Sequence, residues 1–277
     1  MNINKLIRAY LRCVKEAVFL LRRPVVVIPF VLLGMCKLGV LLLLRYYMHP
    51  PLSYFMIDIV RIVGGEASLH YPSHLVMLPY LYQLMTMPVI VGGFVLFGWG
   101  VFMISDCIDD TLLSQRKYIE KVVWNMPAFL FVGILYTALA ISVPFVISLG
   151  AEKIGNPAGQ ALLARFAWLL GLAARMTLVY ALLFIKLYRD DLVGAIRAGI
   201  SFAIRRLLLT VMILLSISIV HAPLGYLTGH SHAAAMTFSP ERILWYVIIG
   251  IVVEVFTNYF MFAATTYLAI GWKRPPG

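Results

Sequence analysis

The dominant pattern in this chain is a series of long apolar runs separated by shorter polar segments. Each run can cross a hydrocarbon core of about 30 Å as an α-helix, which rises about 1.5 Å per residue. Runs of this kind are typical of helical membrane proteins. We therefore predict an all-α polytopic membrane protein with six transmembrane helices. The predicted spans are Pro24–Leu44, Met87–Ser105, Pro127–Leu149, Leu162–Ile185, Leu207–Leu227 and Ile243–Ile270.

Amphipathic segments precede the first, third and fifth of these spans. In residues 3–22, apolar side chains follow one stripe of a helix and basic side chains follow another. This pattern favours a helix that lies in the membrane–water interface, although a helix packed on a soluble partner domain would also show it. Similar segments follow Asp109-Asp110 and Asp190-Asp191, where an acidic pair favours a helix N-terminus. The sequence thus predicts three cytoplasmic interfacial amphipathic helices.

The spacing of these segments indicates a threefold internal repeat of helical hairpins. Asp110 precedes Asp191 by almost the same number of residues as Pro127, at the start of the third span, precedes Leu207, at the start of the fifth. We predict one integral membrane domain, residues 1–277, made of repeats at about 1–106, 107–187 and 188–277. Amphipathic connectors that arose independently would give a similar spacing. Internally repeated membrane folds often place their sites between repeats.

The first outer link is long enough to hold structure of its own. Leu52–Val63 predicts a short amphipathic helix, which Gly64-Gly65 would end. Leu75–Leu84 is too short to span and is aromatic, so we predict a separate interfacial segment there.

Composition and charge agree with a membrane protein and indicate its orientation. The chain is 62% hydrophobic and 13% charged, whereas soluble domains are about half apolar and a quarter charged. Sixteen of its 23 lysines and arginines fall on one side of six spans, and the positive-inside rule makes that side, with both termini, cytoplasmic. The net charge of +11 then predicts contact with anionic lipids rather than nucleic acid. The basic segments are Met1–Arg23, Asp106–Met126, Lys186–Arg206 and Gly271–Gly277.

One connector carries a family resemblance. The stretch Asp191–Arg206, DLVGAIRAGISFAIRR, followed by three leucines, resembles connectors in a family of bacterial polytopic proteins. That family comprises the membrane domain fused to glycerophosphodiester phosphodiesterases and its stand-alone relatives of unassigned function. The resemblance implies a bacterial inner (plasma) membrane protein. It covers the connectors only, and no phosphodiesterase domain appears in these residues, so that chemistry is not carried over.

Ionisable residues inside the apolar runs are the candidate ligand-binding residues. Arg175 and Glu254 each lie near the middle of a predicted span, and Asn258 follows Glu254 by one helical turn. We predict that Arg175 and Glu254 pair between the fourth and sixth spans, because lone charges in hydrocarbon are costly. Such a pair would fix helix packing alone, or it would belong to a binding site. Lys37 would snorkel outward or face the bundle, and in the second case one uncompensated positive charge would suit an anionic headgroup or carboxylate.

Metal and catalytic signatures are weak, so no cofactor, metal site or catalytic residue is predicted. Cys13, Cys36 and Cys107 show no ligand spacing. His230 and His232, with His221 nearby, lack a third ligand at convincing spacing. No phosphate loop, zinc-protease helix or nucleophile elbow appears.

The sequence therefore predicts a non-enzymatic membrane component of a transport or trafficking system for an anionic lipid or amphiphile. Its interior would be lined by Lys37, Arg175, Glu254 and Asn258. Anionic membrane lipids, and a protein at the cytoplasmic face or within the membrane, are the predicted partners. The alternatives are a membrane scaffold or assembly subunit, and an integral-membrane lipid-modifying enzyme.

Overall fold

A computed structural model of the chain is all-helical throughout the residues that it describes. These residues are 3–46, 49–70, 73–111, 113–153, 159, 171, 177–186, 191–229 and 242–271. They form nine α-helices, with short 3₁₀ turns at Pro24–Val27 and Glu66–Leu69. The helices are α1 (Ile3–Leu20), α2 (Ile28–Arg45), α3 (Ser53–Gly64), α4 (Ser73–Ile108), α5 (Gln115–Lys153), α6 (Thr177–Lys186), α7 (Leu192–Arg205), α8 (Leu207–Gly229) and α9 (Arg242–Gly271).

Four stretches among the described residues are long and apolar enough to cross a membrane. They are Pro24–Arg45, Leu81–Ile108, Gln115–Leu139 and Arg242–Ile270. A fifth candidate is the pair α7 and α8, which passes the same test only when the two helices are counted together. The structure thus has the helices of a multi-pass membrane protein, with four or five candidate spans instead of the six predicted. Most of the predicted span Leu162–Ile185 lies outside the described residues.

The connectors before the first and fifth spans form separate helices, as predicted. α1 ends at Leu20, shortly before the turn that begins at Pro24. α7 is bent by 90° from α8. Asp191 is the N-cap of α7, because its Oδ1 accepts a hydrogen bond from Gly194 N at 2.8 Å. Acidic residues at the beginning of a helix commonly have this capping role.

The connector before the third span differs from the prediction. The helix begins at Gln115, not at Asp109-Asp110, and it continues through Pro127 as a single helix of 39 residues. A separate second interfacial helix was therefore a wrong prediction. A proline removes one backbone donor, but a helix in hydrocarbon gains nothing by ending there, because no water would satisfy the freed groups.

The prediction for the link between the first and second spans is confirmed in part. α3 covers the predicted helix, and Gly65 ends it with a φ of 73°, a conformation that glycine adopts at little cost. Leu75–Leu84 is not a separate interfacial segment, because α4 runs without a break from Ser73 to Ile108.

The chain packs as two compact units whose boundaries fall inside α2, α4, α8 and α9. The first unit comprises Met1–Pro29, Ile90–Leu215 and Tyr259–Gly277, and the second comprises Phe30–Val89 and Ser216–Asn258. The second unit has an aliphatic core contributed by α2, α3, α4 and α9. Its buried residues are Leu41, Leu44, Val60, Leu78, Leu81, Val247 and Ile251.

Small residues let helices approach closely in the first unit. The Phe129 ring of α5 fills the space beside Gly98 of α4, where a Cβ atom would lie 2.5 Å from the ring. Gly199 of α7 lies against the backbone of α6, where a Cβ atom would lie 2.9 Å from Ala181 N. Small-residue contacts of this kind are typical of packing between membrane helices.

Replacing Gly199 with alanine tests this contact. We expect a loss of stability of about 1–3 kcal/mol, because the obstructing atom belongs to a helix backbone and cannot rotate away. The matched control is Gly92→Ala in α4, where a Cβ atom meets nothing within 4 Å. Thermal unfolding in detergent measures both variants. Equal midpoints would show that α7 does not need this close approach.

Candidate intramembrane charge site

Lys37 of α2 and Glu254 of α9 form an ion pair within the second unit. Lys37 Nζ donates to Glu254 Oε1. Each residue lies near the middle of a candidate span, Pro24–Arg45 for the lysine and Arg242–Ile270 for the glutamate. Since an unpaired charge at that depth costs several kcal/mol, each residue supplies the counter-charge that the other requires.

Local sequence on both helices brings the two charges together. Gly34 precedes Lys37 by one turn, and a Cβ atom there would collide with Val255 Cγ2. The glycine therefore lets α2 and α9 approach at the level of the pair. Asn258 follows Glu254 by one turn, and its Nδ2 donates to Glu254 Oε1 at 3.4 Å. One carboxylate oxygen thus accepts from both the ammonium and the amide.

The two charged side chains differ in exposure. The Lys37 side chain is 7% exposed, whereas the Glu254 side chain is 34% exposed. The lysine therefore faces the protein interior and does not extend along the protein surface. The glutamate is the more exposed partner of the pair.

Tyr82 of α4 adds a polar group that sequence reasoning missed. Its side chain packs against the aliphatic core of the second unit, to which α9 contributes Val247 and Ile251. The hydroxyl oxygen is buried and has no hydrogen-bond partner among the described residues. Buried hydroxyls usually have a partner, so this unpaired group is unusual. The only sequence signal was a tyrosine in a segment that we assigned to the interface.

Three of the four predicted site residues come together, and the fourth cannot be placed. Lys37 and Asn258 both donate hydrogen bonds to Glu254 Oε1. Arg175, and with it the predicted pair between Arg175 and Glu254, lies outside the described residues. The partner that the structure gives to Glu254 is Lys37. The ligand-binding role of all four residues stays a prediction.

A second buried ion pair lies in the first unit, at the ends of α4 and α6. Lys186 Nζ donates to Asp106 Oδ1, and it also donates to Ser105 Oγ at 2.7 Å. The Asp106 side chain is 7% exposed, and its Oδ2 has no partner among the described residues. Sequence reasoning missed this pair.

Arg23 links the beginning of the first span to the turn after α4. Its guanidinium donates to Asp110 Oδ1 and to Cys107 Sγ, both at 3.3 Å. Asp110 has a positive φ of 53°, so it serves in this turn and not as a helix cap. The predicted helix-opening role of Asp109-Asp110 was therefore wrong.

The cysteines and histidines form no metal-binding cluster in the part of the chain that the structure describes. Cys13, Cys36 and Cys107 are free thiols, and the first and last are buried. Burial raises the pKa of Cys13 to about 11, so this thiol stays protonated and unreactive at neutral pH. The predicted histidine pair, His230 and His232, lies outside the described residues.

No protein-family model, curated protein or solved structure matches this chain.

Proposed function

We propose that this protein is the membrane component of a transport or trafficking system for an anionic lipid or amphiphile. The observation that carries the proposal is the Lys37–Glu254 pair, which buries a cation behind a more accessible carboxylate. In the proposed cycle the anionic group of the ligand replaces the Glu254 carboxylate at Lys37 Nζ. Asn258 and the unpaired Tyr82 hydroxyl are the polar groups available to the arriving anion.

Charge balance makes this exchange depend on a proton. The resting pair is neutral, and a second anion beside one ammonium would leave a net negative charge in hydrocarbon. The ligand therefore binds together with a proton, which Glu254 takes up when it leaves Lys37. Among the described residues, Lys37 and Asn258 are the groups that donate hydrogen bonds to the Glu254 carboxylate.

The proposed location is a bacterial inner membrane with both termini in the cytoplasm. This orientation is supported by the placement of basic residues, since α1 and α7 carry arginines and lysines next to candidate spans. It is also the location implied by the family resemblance of residues 191–206.

Binding of decyl sulfate to the full-length protein in a non-ionic detergent tests the proposal, because this monoanionic amphiphile keeps its charge at every pH used. We expect wild-type affinity to rise about tenfold per unit fall in pH, as uptake of one proton requires. Glu254→Gln should bind more tightly at pH 8 and lose the pH dependence, because no carboxylate then occupies Lys37. Isothermal titration calorimetry between pH 6.5 and 8.5 measures both effects.

The double variant Lys37→Met with Glu254→Gln is the matched negative control. It removes both charges, so it should fold without a buried lone charge and should not bind decyl sulfate at the site. Equal binding by the double variant and the wild type would refute Lys37 as the receiving cation. Tight binding with no pH dependence in the wild type would refute exchange with Glu254.

A membrane scaffold or assembly subunit is the second candidate. The direct neutralisation of Lys37 by Glu254 favours it, because a satisfied pair can act as a clasp between α2 and α9 without any ligand. A scaffold would show no specific decyl sulfate binding, while both single variants would lose stability.

A further inference from the structure

α1 and α7 are equivalent helices related by a constant shift in residue number. With this shift, buried Cys13 and Ala17 correspond to buried Ala195 and Gly199. With the same shift, the exposed apolar residues Leu11 and Val18 correspond to exposed Val193 and Ile200, and exposed Lys15 corresponds to exposed Arg197. The correspondence covers these positions and not the whole of the two helices.

Each helix has three faces instead of the two expected of a simple amphipathic helix. At about 100° per residue, the buried face is followed by an exposed apolar face and then by a basic face, in the same rotational order in both helices. The apolar faces are well exposed, with Leu11 at 56% and Val193 at 70%. An exposed apolar face beside arginines and lysines is unfavourable in water, whereas it is typical of a helix that lies at a membrane interface.

The buried faces pack α1 against α9 and α7 against α6 in the first unit. Ala17 O of α1 accepts a hydrogen bond from Tyr259 Oη of α9 at 2.9 Å. Gly199 of α7 packs on the α6 backbone at Ala181. One face of each helix is thus held by protein, and the two remaining faces are left for the surroundings.

We propose that the apolar and basic faces of α1 and α7 form two equivalent binding sites for anionic phospholipids. The apolar face lies among acyl chains, and Lys15 or Arg197 contacts the phosphate of the headgroup. The charge of the faces favours this occupant, because α7 contains no acidic residue and α1 contains a single one, Glu16. Neither Lys15 nor Arg197 has an ion-pair partner among the described residues. This proposal does not rest on the function of the Lys37–Glu254 pair.

Native mass spectrometry of the full-length protein, titrated with phosphatidylglycerol or phosphatidylcholine, tests the proposal. We expect two phosphatidylglycerol molecules to bind more tightly than any phosphatidylcholine. Lys15→Gln and Arg197→Gln should each weaken one of these two sites about fivefold, and the double variant should weaken both, because a basic residue at an anionic surface contributes about that factor. Both residues are exposed, so the variants should keep the wild-type unfolding midpoint.

The matched control is Arg242→Gln, an exposed arginine at the beginning of α9 and outside both faces. It should leave both phosphatidylglycerol sites unchanged. Unchanged phosphatidylglycerol binding in the double variant, or equal affinity for the two lipids in the wild type, would overturn the proposal. A stoichiometric protein released by Lys15→Gln, with lipid binding unaltered, would show instead that these faces bind a partner protein.

Discussion

Replacing Lys186 with methionine is expected to lower the free energy of unfolding by about 3–5 kcal/mol. The substitution removes the ammonium that neutralises Asp106, whose side chain is 7% exposed and whose Oδ2 already has no partner among the described residues. Ser105 does not replace it, because the hydrogen bond that Ser105 makes here is to Lys186 itself. Thermal unfolding followed by circular dichroism in detergent measures the loss.

Two variants separate loss of charge balance from loss of packing. Asp106→Asn added to Lys186→Met should recover most of the stability, because no buried charge then remains. Asp106→Asn alone should cost less than Lys186→Met, since the lysine side chain is 19% exposed at the end of α6 and can turn towards water. Equal losses in Lys186→Met and in the double variant would show that the ion pair itself contributes little.

Replacing Lys37 with methionine is expected to cost about 2–3 kcal/mol, below the range for a fully buried pair. The Glu254 carboxylate left behind keeps the Asn258 amide and its side chain is 34% exposed, so the loss is smaller than for a fully buried charge. Thermal unfolding midpoints of Lys37→Met and of the wild type in detergent measure the loss.

Glu254→Gln in the same background is the control. It should raise the stability of Lys37→Met, because no unpaired carboxylate then remains. A Lys37→Met protein as stable as the wild type would contradict a structural need for the pair.

Sequence reasoning located the elements whose signals are local. α1, α3 and α9 agree with their predicted ranges within a few residues, because hydrophobic period, a glycine turn and apolar length each depend on neighbouring residues. Proline was a less reliable indicator of where a helix ends. At Pro24 the chain leaves one helix for another, and Arg23 is held there by Asp110 and Cys107. At Pro127 the same residue type lies inside a continuous helix.

Positions along a helix give an expected depth for Lys37 and Glu254, since each residue adds about 1.5 Å, but they do not give the direction of each side chain. The rotation of each helix about its axis decides which charges meet, and this depends on contacts such as Gly34 against Val255. No pattern within one span carries that information. For the same reason the Lys186–Asp106 pair was not predicted, although both residues were named as the first residues of basic segments.

The neutrality of the Lys37–Glu254 pair has an electrical consequence. The electrostatic energy of a single charge changes by about 2.3 kcal/mol per 100 mV when the charge crosses the full membrane potential. For two opposite charges that move together, this change is almost zero. In the proposed ligand-bound state, the charges of the monoanion and of Lys37 cancel and Glu254 is protonated, so the net charge of the site is again zero. Both states of the proposed cycle are therefore indifferent to the membrane voltage, and the concentration gradients of ligand and protons alone would set the direction of net movement.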